Sequence, residues 1–356
     1  MSTTKEYSQS ASLKELFEGK IILVTGGTGS IGSEIVRHLL AFNPKQIRVF
    51  DNRETEGFHF QHQLADHKNV RFLIGDTRDK DRLRLAMEHV DIVFHAAALK
   101  HVPSCEYNPF EAVKTNVFGT QNVIDCALHC NVEKVINIST DKVTNTINTM
   151  GATKLLAERL ISAAEHYRGK KRTIFSSVRF GNVLRSRGSV LDLFEEQIKR
   201  GGPVTITDYE MTRFFMLIPQ AVELVFKAAQ LSTGGEIFIF KMPTIKLSDL
   251  VNVVIDEIAP KYGKTSSQIE HKVIGIRPGE RLHEELMTIE EADHALETDE
   301  LFIVLPSLFS EEATLAMKQN YSSYPRAPVK SYSSQLNRSL NQEEVRALLR
   351  GAKLVN

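Results

Sequence analysis

Lys20–Gly32 reads KIILVTGGTGSIG, an apolar run that breaks into glycines at positions 26, 29 and 32. A run of this kind, with a charge before it and glycines behind, is how a strand buried on both faces looks. A helical pattern follows from Ser33 to Phe42. Glycine lets the chain turn sharply between the two and lets a pyrophosphate come up against the backbone. The helix start adds free N–H groups and a partial positive charge. The stretch therefore predicts a dinucleotide site on Gly26, Thr28, Gly29, Ser30, Ile31 and Gly32.

Working outward, Gln46–Phe50 is a second strand and ends at Asp51. Val70–Ile74 is a third, followed by Gly75 and Asp76. Ile92–His95, Lys134–Ile138 and Thr173–Arg179 are three more. Helical stretches separate them, among them Pro109–His129 and Ala152–Tyr167. Such β-α-β alternation predicts an α/β, Rossmann-type, doubly wound parallel sheet. We expect residues 1–180 to form the NAD-binding domain, with 1–18 as a polar lead-in. Residues 181–320, with shorter and less regular elements, should form a smaller C-terminal substrate-binding portion. The Ser-, Tyr- and Pro-rich stretch that opens 321–356 reads as an extended arm, and Asn341 as the cap of a last helix.

Asp51 falls nineteen residues after Gly32, where a carboxylate binds both ribose hydroxyls of NAD and repels the 2′-phosphate of NADP. Arg53 stands close enough to accept that phosphate instead, so NADP stays open as the lesser alternative. Asp76 can contact the adenine amino group or cap the helix that follows.

Composition narrows the class. Lys+Arg and Asp+Glu both number 44, a balance that argues against a nucleic-acid surface. The three cysteines, Cys105, Cys126 and Cys130, have no metal-ligand spacing and suit a reducing, cytoplasmic setting. No apolar run approaches the ~20 residues that span a bilayer, so no membrane association is expected.

The fifth strand delivers Ser139-Thr140-Asp141-Lys142 to the sheet's carboxyl edge, where α/β crevices lie. Met150-Gly151-Ala152-Thr153-Lys154 follows. A thioether cannot exchange a proton at any pH. Acid–base work must then fall to Thr140, Asp141 and Lys142, or be absent.

The chain resembles the extended short-chain dehydrogenase/reductases, and among them the UDP-N-acetylglucosamine 4,6-dehydratases. The resemblance runs from about Glu18 to Met287. It is carried by TGGTGSIG (Thr25–Gly32), AAALKHVP (Ala96–Pro103), NVFGT (Asn116–Thr120), STDK (Ser139–Lys142), GATK (Gly151–Lys154), RFGNVL (Arg179–Leu184), MTRFFM (Met211–Met216) and RPGERLHEE (Arg277–Glu285). Ordinary members carry tyrosine where Met150 stands. The methionine resembles the configuration-retaining branch, which includes large membrane-anchored members; no membrane region like theirs is expected here.

The resemblance implies oxidation of the sugar at C4, loss of water across C5 and C6, and return of the hydride to C6. It implies Lys142 as base, with a pKa depressed toward neutrality, Asp141 as acid and Thr140 on the C4 oxygen. Lys154 would hold the nicotinamide ribose, and Ala96 and Ala97 would line the cofactor. Lys100, His101, Met150 and Asn182 would face the sugar, Arg213 and Arg277 the diphosphate, and Glu280 the uridine ribose. Thr205–Thr207 would offer backbone groups to the base. A homo-oligomer without a metal is expected. A UDP-sugar C4 epimerase shares the fold and the first step, and an NAD-binding regulatory protein that lost catalysis is a third possibility.

Overall fold

The computed structural model describes residues 12–184, 186–306 and 319–351. The lead-in before residue 12 and the last residues of the expected arm lie outside the described residues. β1 (Ile21–Thr25), β2 (Gln46–Asp51), β3 (Val70–Ile74), β4 (Ile92–His95), β5 (Lys134–Ile138) and β6 (Ile174–Arg179) stand where the apolar runs place them. Beyond them come β7 (Asn182–Leu184), β8 (Val204–Ile206), β9 (Thr212–Leu217), β10 (Ile237–Phe240) and β11 (Thr244–Lys246). β12 (His271–Val273), β13 (Glu285–Met287), β14 (Ala295–Glu297), β15 (Leu301–Val304) and β16 (Tyr332–Ser333) complete the described strands.

Nine strands form one sheet in the order β14-β15-β10-β6-β5-β4-β1-β2-β3. From β10 to β3 every pairing is parallel. β15 and β14 close the far edge antiparallel. β1 shows why the run was unbroken: Ile22 and Val24 pack into one core cluster, while Leu23 packs into the cluster on the other face. The chain winds outward from β1 to β3 and then back through β4, so the carboxyl ends of β1 and β4 flank a switch-point crevice. The sheet takes its last three strands from residues 237–304, inside the stretch read as substrate-binding.

Smaller units sit beyond the carboxyl edge. β7, β9 and β11 form a three-stranded sheet, β8 pairs with β12, and β13 pairs with β16. Helices Val190–Arg200, Leu247–Ile258 and Gln342–Gly351 share a separate core built on Phe194, Leu250, Val254 and Val345. Asn341 caps the last of these helices, its Oδ1 accepting from Glu344 N at 2.9 Å. The stretch before it is anchored: Tyr321 is buried, and its hydroxyl donates to the carbonyl of Leu231.

Two local expectations change. The Pro109–His129 helix is interrupted, because Val113–Phe118 is wound as a π-helix. It buries Asn116, whose Oδ1 accepts from Leu99 N at 2.8 Å and whose Nδ2 donates to Leu99 O and Thr153 Oγ1. Such a bulge re-aims one side chain within a helix. The helix Lys80–Met87 is capped by Asp79, not Asp76, since Asp79 accepts from Arg82 N.

Candidate active site

The crevice is a cleft of about 850 Å³. One half is built by the glycine turn. Gly26 has φ +64°, and a Cβ there would lie 2.7 Å from the backbone of Ala97, so the turn requires glycine. The helix Ser30–Leu39 starts without a side-chain cap and without an acidic residue in its first turn. Its first residues, Ser30, Ile31 and Gly32, meet the cleft with their free N–H groups, while the N–H of Gly29 before them donates to Gly26 O at 2.9 Å. Ala96 and Ala97, packed against Gly26, line the cleft beside it. Asp51 Oδ2 accepts from Thr28 N at 3.0 Å and Thr28 Oγ1 at 2.7 Å, and Arg53 forms an ion pair with it at 3.1 Å. Burial pushes the Asp51 carboxyl up, but the hydrogen bonds from Arg53 and Thr28 outweigh it and hold the group below the usual range. Thr28 therefore works from behind the wall. Asp76 lines the cleft with its carboxylate paired to Arg78 at 2.6 Å. An uncapped helix start, a glycine turn and a carboxylate ending β2 fit a dinucleotide.

β5 and the helix Thr149–Tyr167 build the other half. Asn148 caps that helix by accepting from Gly151 N at 2.7 Å. A Cβ on Gly151 would lie 2.2 Å from the carbonyl of Lys142, so this glycine lets the helix start press against the STDK turn. Thr140 Oγ1 donates to Asp141 Oδ1 at 2.8 Å, and Lys142 Nζ donates to the same oxygen at 2.9 Å. Asp141 Oδ2 is buried without a partner. Thr140, Lys142, Met150 and Lys154 line the cleft, while Asp141 sits just behind them. Ser139 also faces the cleft, with a buried hydroxyl that has no partner.

The two lysines are tuned in opposite directions. Burial pushes Lys154 down to about 8, although Glu158 opposes it, and its Nζ donates to Ile138 O at 2.6 Å. Burial also pushes Lys142 down, but Asp141 and Glu284 outweigh it and raise the group above its ordinary value. The expectation of a depressed Lys142 is thus reversed, because two carboxylates surround its ammonium.

On the substrate side, Lys100, His101 and Asn182 line the cleft with Met150. Lys100 Nζ donates to Arg187 O at 2.8 Å, and burial and the nearby Arg187 and Arg53 lower its pKa. Arg213, expected on the diphosphate, does not line the cleft. It is buried, and its guanidinium donates to the carbonyls of Thr212, Arg281 and Leu282. Arg277, which is exposed, and Glu280 also lie outside the lining. The amide of Thr205 is taken by Gln197 Oε1.

Three participants escaped the sequence reading. Glu284 lies 3.9 Å from Lys142, 142 positions away in the chain. Arg187 reaches across the cleft to the carbonyl of Thr28. His95, buried at the end of β4, bonds Thr25 Oγ1 at 2.7 Å and Thr120 Oγ1 at 3.1 Å. Burial and Lys154 push its pKa down to about 3, so it is neutral. Only Glu284 left a signal, its place within RPGERLHEE.

Sheet order, glycine turn and strand-end lysines define a short-chain dehydrogenase/reductase of the nucleotide-sugar dehydratase and epimerase kind. The chain belongs to the polysaccharide biosynthesis protein family, whose model matches residues 22–306. It is 61% identical over 294 residues to a Methanocaldococcus jannaschii protein described as an uncharacterized membrane protein, covering 83% of this chain and 88% of that one. It is 42% identical to a UDP-N-acetylglucosamine 4,6-dehydratase (inverting) of Campylobacter jejuni, covering 82% of this chain and 85% of that one. A UDP-glucose 4-epimerase of Rickettsia rickettsii is 37% identical, with 94% and 96% covered. Among solved structures, Pen from Bacillus thuringiensis superposes with a TM-score of 0.87 at 45% identity, covering 94% of this chain and 98% of that one. Among the described residues no helix is long and apolar enough to cross a membrane.

Proposed function

We propose that the protein is a UDP-N-acetylglucosamine 4,6-dehydratase, a hydro-lyase that forms the 4-keto-6-deoxy sugar with retention at C5. The observation that carries this reading is the Thr140–Asp141–Lys142 cluster beside Met150. It is an acid–base set built without a tyrosine, at the wall opposite the glycine turn. When bound, NAD would accept a hydride from C4 and give it back to C6. Gly26 to Gly32, Asp51, Ala96, Ala97 and Lys154 would hold it. NAD is favoured over NADP because the Arg53 charge is already balanced by Asp51.

Thr140 binds the C4 hydroxyl and passes its proton to Asp141, along the 2.8 Å hydrogen bond already in place. Lys142 removes the C5 proton. The C6–O bond breaks as the proton stored on Asp141 returns through Thr140 to the leaving hydroxyl, which departs as water. Lys142 then restores a proton to C5. The C4 hydroxyl proton and the C5 proton are both accounted for once Lys142 acts as the neutral amine, and no outside reductant is needed. Lys100 and His101, with Asn182, are the lining groups that meet the sugar and its diphosphate.

Inversion at C5 is a second reading, favoured by the Campylobacter relative's name. C4 epimerisation is a third, favoured by the Rickettsia relative. The mass of the sugar nucleotide recovered after incubation separates dehydration from epimerisation. Loss of one water is expected, and an unchanged mass with a C4 epimer would displace this reading.

A further inference from the structure

Lys142 poses a problem that the cleft alone does not solve. A base must arrive without its proton, yet Asp141 and Glu284 stabilise the ammonium. Behind Lys142 lies a second, much smaller cavity of about 10 Å³, close to the room one water needs. Its walls are polar, with Thr144, Thr146, Asn148 and Arg281 among them, and Glu284 lines it too. Among the described residues, Lys142 is common to this cavity and the main cleft.

We propose that Glu284 is the proton partner of Lys142, exchanging a proton with it across this cavity so that Lys142 meets the substrate as a neutral amine. The inference rests on the dehydratase reading above. The Glu284 side chain is 6% exposed, and its carboxylate lies 3.9 Å from Lys142 Nζ, a separation that one water can bridge. The transfer breaks an N–H bond on Lys142 and forms an O–H bond on Glu284, turning a buried ion pair into two neutral groups. No redox change is involved. The other charged or titratable groups facing Glu284 are Asp141 beside Lys142, Arg213 on β9 at 3.6 Å, and Arg281 on its own segment; the ring of His283, next to it in the chain, bonds Thr212 Oγ1 instead. Burial, with Asp141, raises the Glu284 pKa against Lys142, Arg213 and Arg281, which suits a proton acceptor. The cavity also gives Lys142 a way to exchange protons with solvent while substrate fills the cleft. Glu284 does not touch the substrate in this scheme and acts only through Lys142.

The test compares wild type, Glu284→Gln and Glu284→Asp with UDP-N-acetylglucosamine in D₂O. It follows deuterium at C5, water loss and reduced-nicotinamide absorbance across pH, with thermal melts to establish folding. Gln keeps the shape but cannot accept the proton. It should slow C5 exchange by ~10²-fold or more, while reduced nicotinamide accumulates because C4 oxidation survives. Its activity should recover as pH rises, since Lys142 then deprotonates directly to solvent. Asp keeps a titrating carboxylate and should retain exchange within about tenfold of wild type. Wild-type exchange and pH profile in Gln would overturn the relay. So would equal loss of C4 oxidation and exchange, or an Asp variant as defective as Gln; if Gln does not fold, a folded Asp variant slowed ~10²-fold or more in exchange relative to wild type overturns it. A wild type that dehydrates beside an unaffected Gln variant overturns the relay alone. A wild type that releases no water overturns the dehydratase reading as well.

Discussion

Lys154 is a cation held where charge is costly. Its pKa of about 8, against 10.5 for a free side chain, means that the folded protein binds fewer protons than the unfolded chain between those values. Stability should therefore rise with pH across that window and be lowest below it. Lys154→Met should remove this dependence and raise stability at neutral pH by up to ~3 kcal/mol, while turnover is lost. Chemical denaturation of both proteins from pH 7 upward measures it. Met150 and Thr140 make a second pair. Met150 packs against Cys105 and Ala112, so Met150→Leu should keep most activity. Thr140→Val is nearly isosteric but cuts the hydrogen bond to Asp141, and should cost ~10²–10⁴ in turnover. Steady-state rates order the two, and a reversed order would mean that the C4 proton does not pass through Thr140. At this scale the sequence showed which groups were present but not their tuning. Lys142 and Lys154 are both lysines at a strand end or helix start. Burial sets the environment of Lys154, with Glu158 one turn along the same helix opposing it, whereas Glu284, from a distant part of the chain, joins Asp141 around Lys142.

Elements hold these groups through buried charge as well as packing. Arg179, at the end of β6, binds both carboxylate oxygens of Glu158, on the Lys154 helix, and both of Glu291, beyond β13. Its guanidinium is 1% exposed. Met150, Lys154 and Glu158 lie four residues apart on one helix face. The ion cluster thus ties that face to the sheet. Arg179→Leu would strand the buried carboxylate of Glu158 and the partly buried one of Glu291, and should destabilise the fold by ~3–5 kcal/mol, measurable as a lower denaturation midpoint. Strands β1 to β6 were legible because burial on both faces leaves a continuous apolar signature. The break at Val113–Phe118 was not, because it answers to Asn116 reaching the backbone of Leu99, a contact between distant segments. The last helix was legible from its cap, whereas the burial of Tyr321 depended on a carbonyl of another helix.

The whole molecule joins a parallel sheet to smaller units across its carboxyl edge, and chain order does not follow this division. β10, β14 and β15 return to the sheet after the excursion through β7 to β9. The cofactor half of the cleft was readable because its parts are local: glycines, a helix start and a carboxylate at a strand end. The substrate half was less so. Arg213 reads as an anion ligand in isolation, but the fold spends its donors on carbonyls near Leu282. In the proposed reaction the two halves together remove water through the C5 proton without net redox change. The most direct measurement is NMR of UDP-N-acetylglucosamine incubated with the purified protein in D₂O, with no oxidant or reductant added. The expected product has a methyl group at C6, a ketone at C4 and deuterium at C5, with no build-up of reduced nicotinamide. A product that keeps its C6 hydroxyl, or a methyl product with C5 still fully protonated, would contradict the proposed reaction.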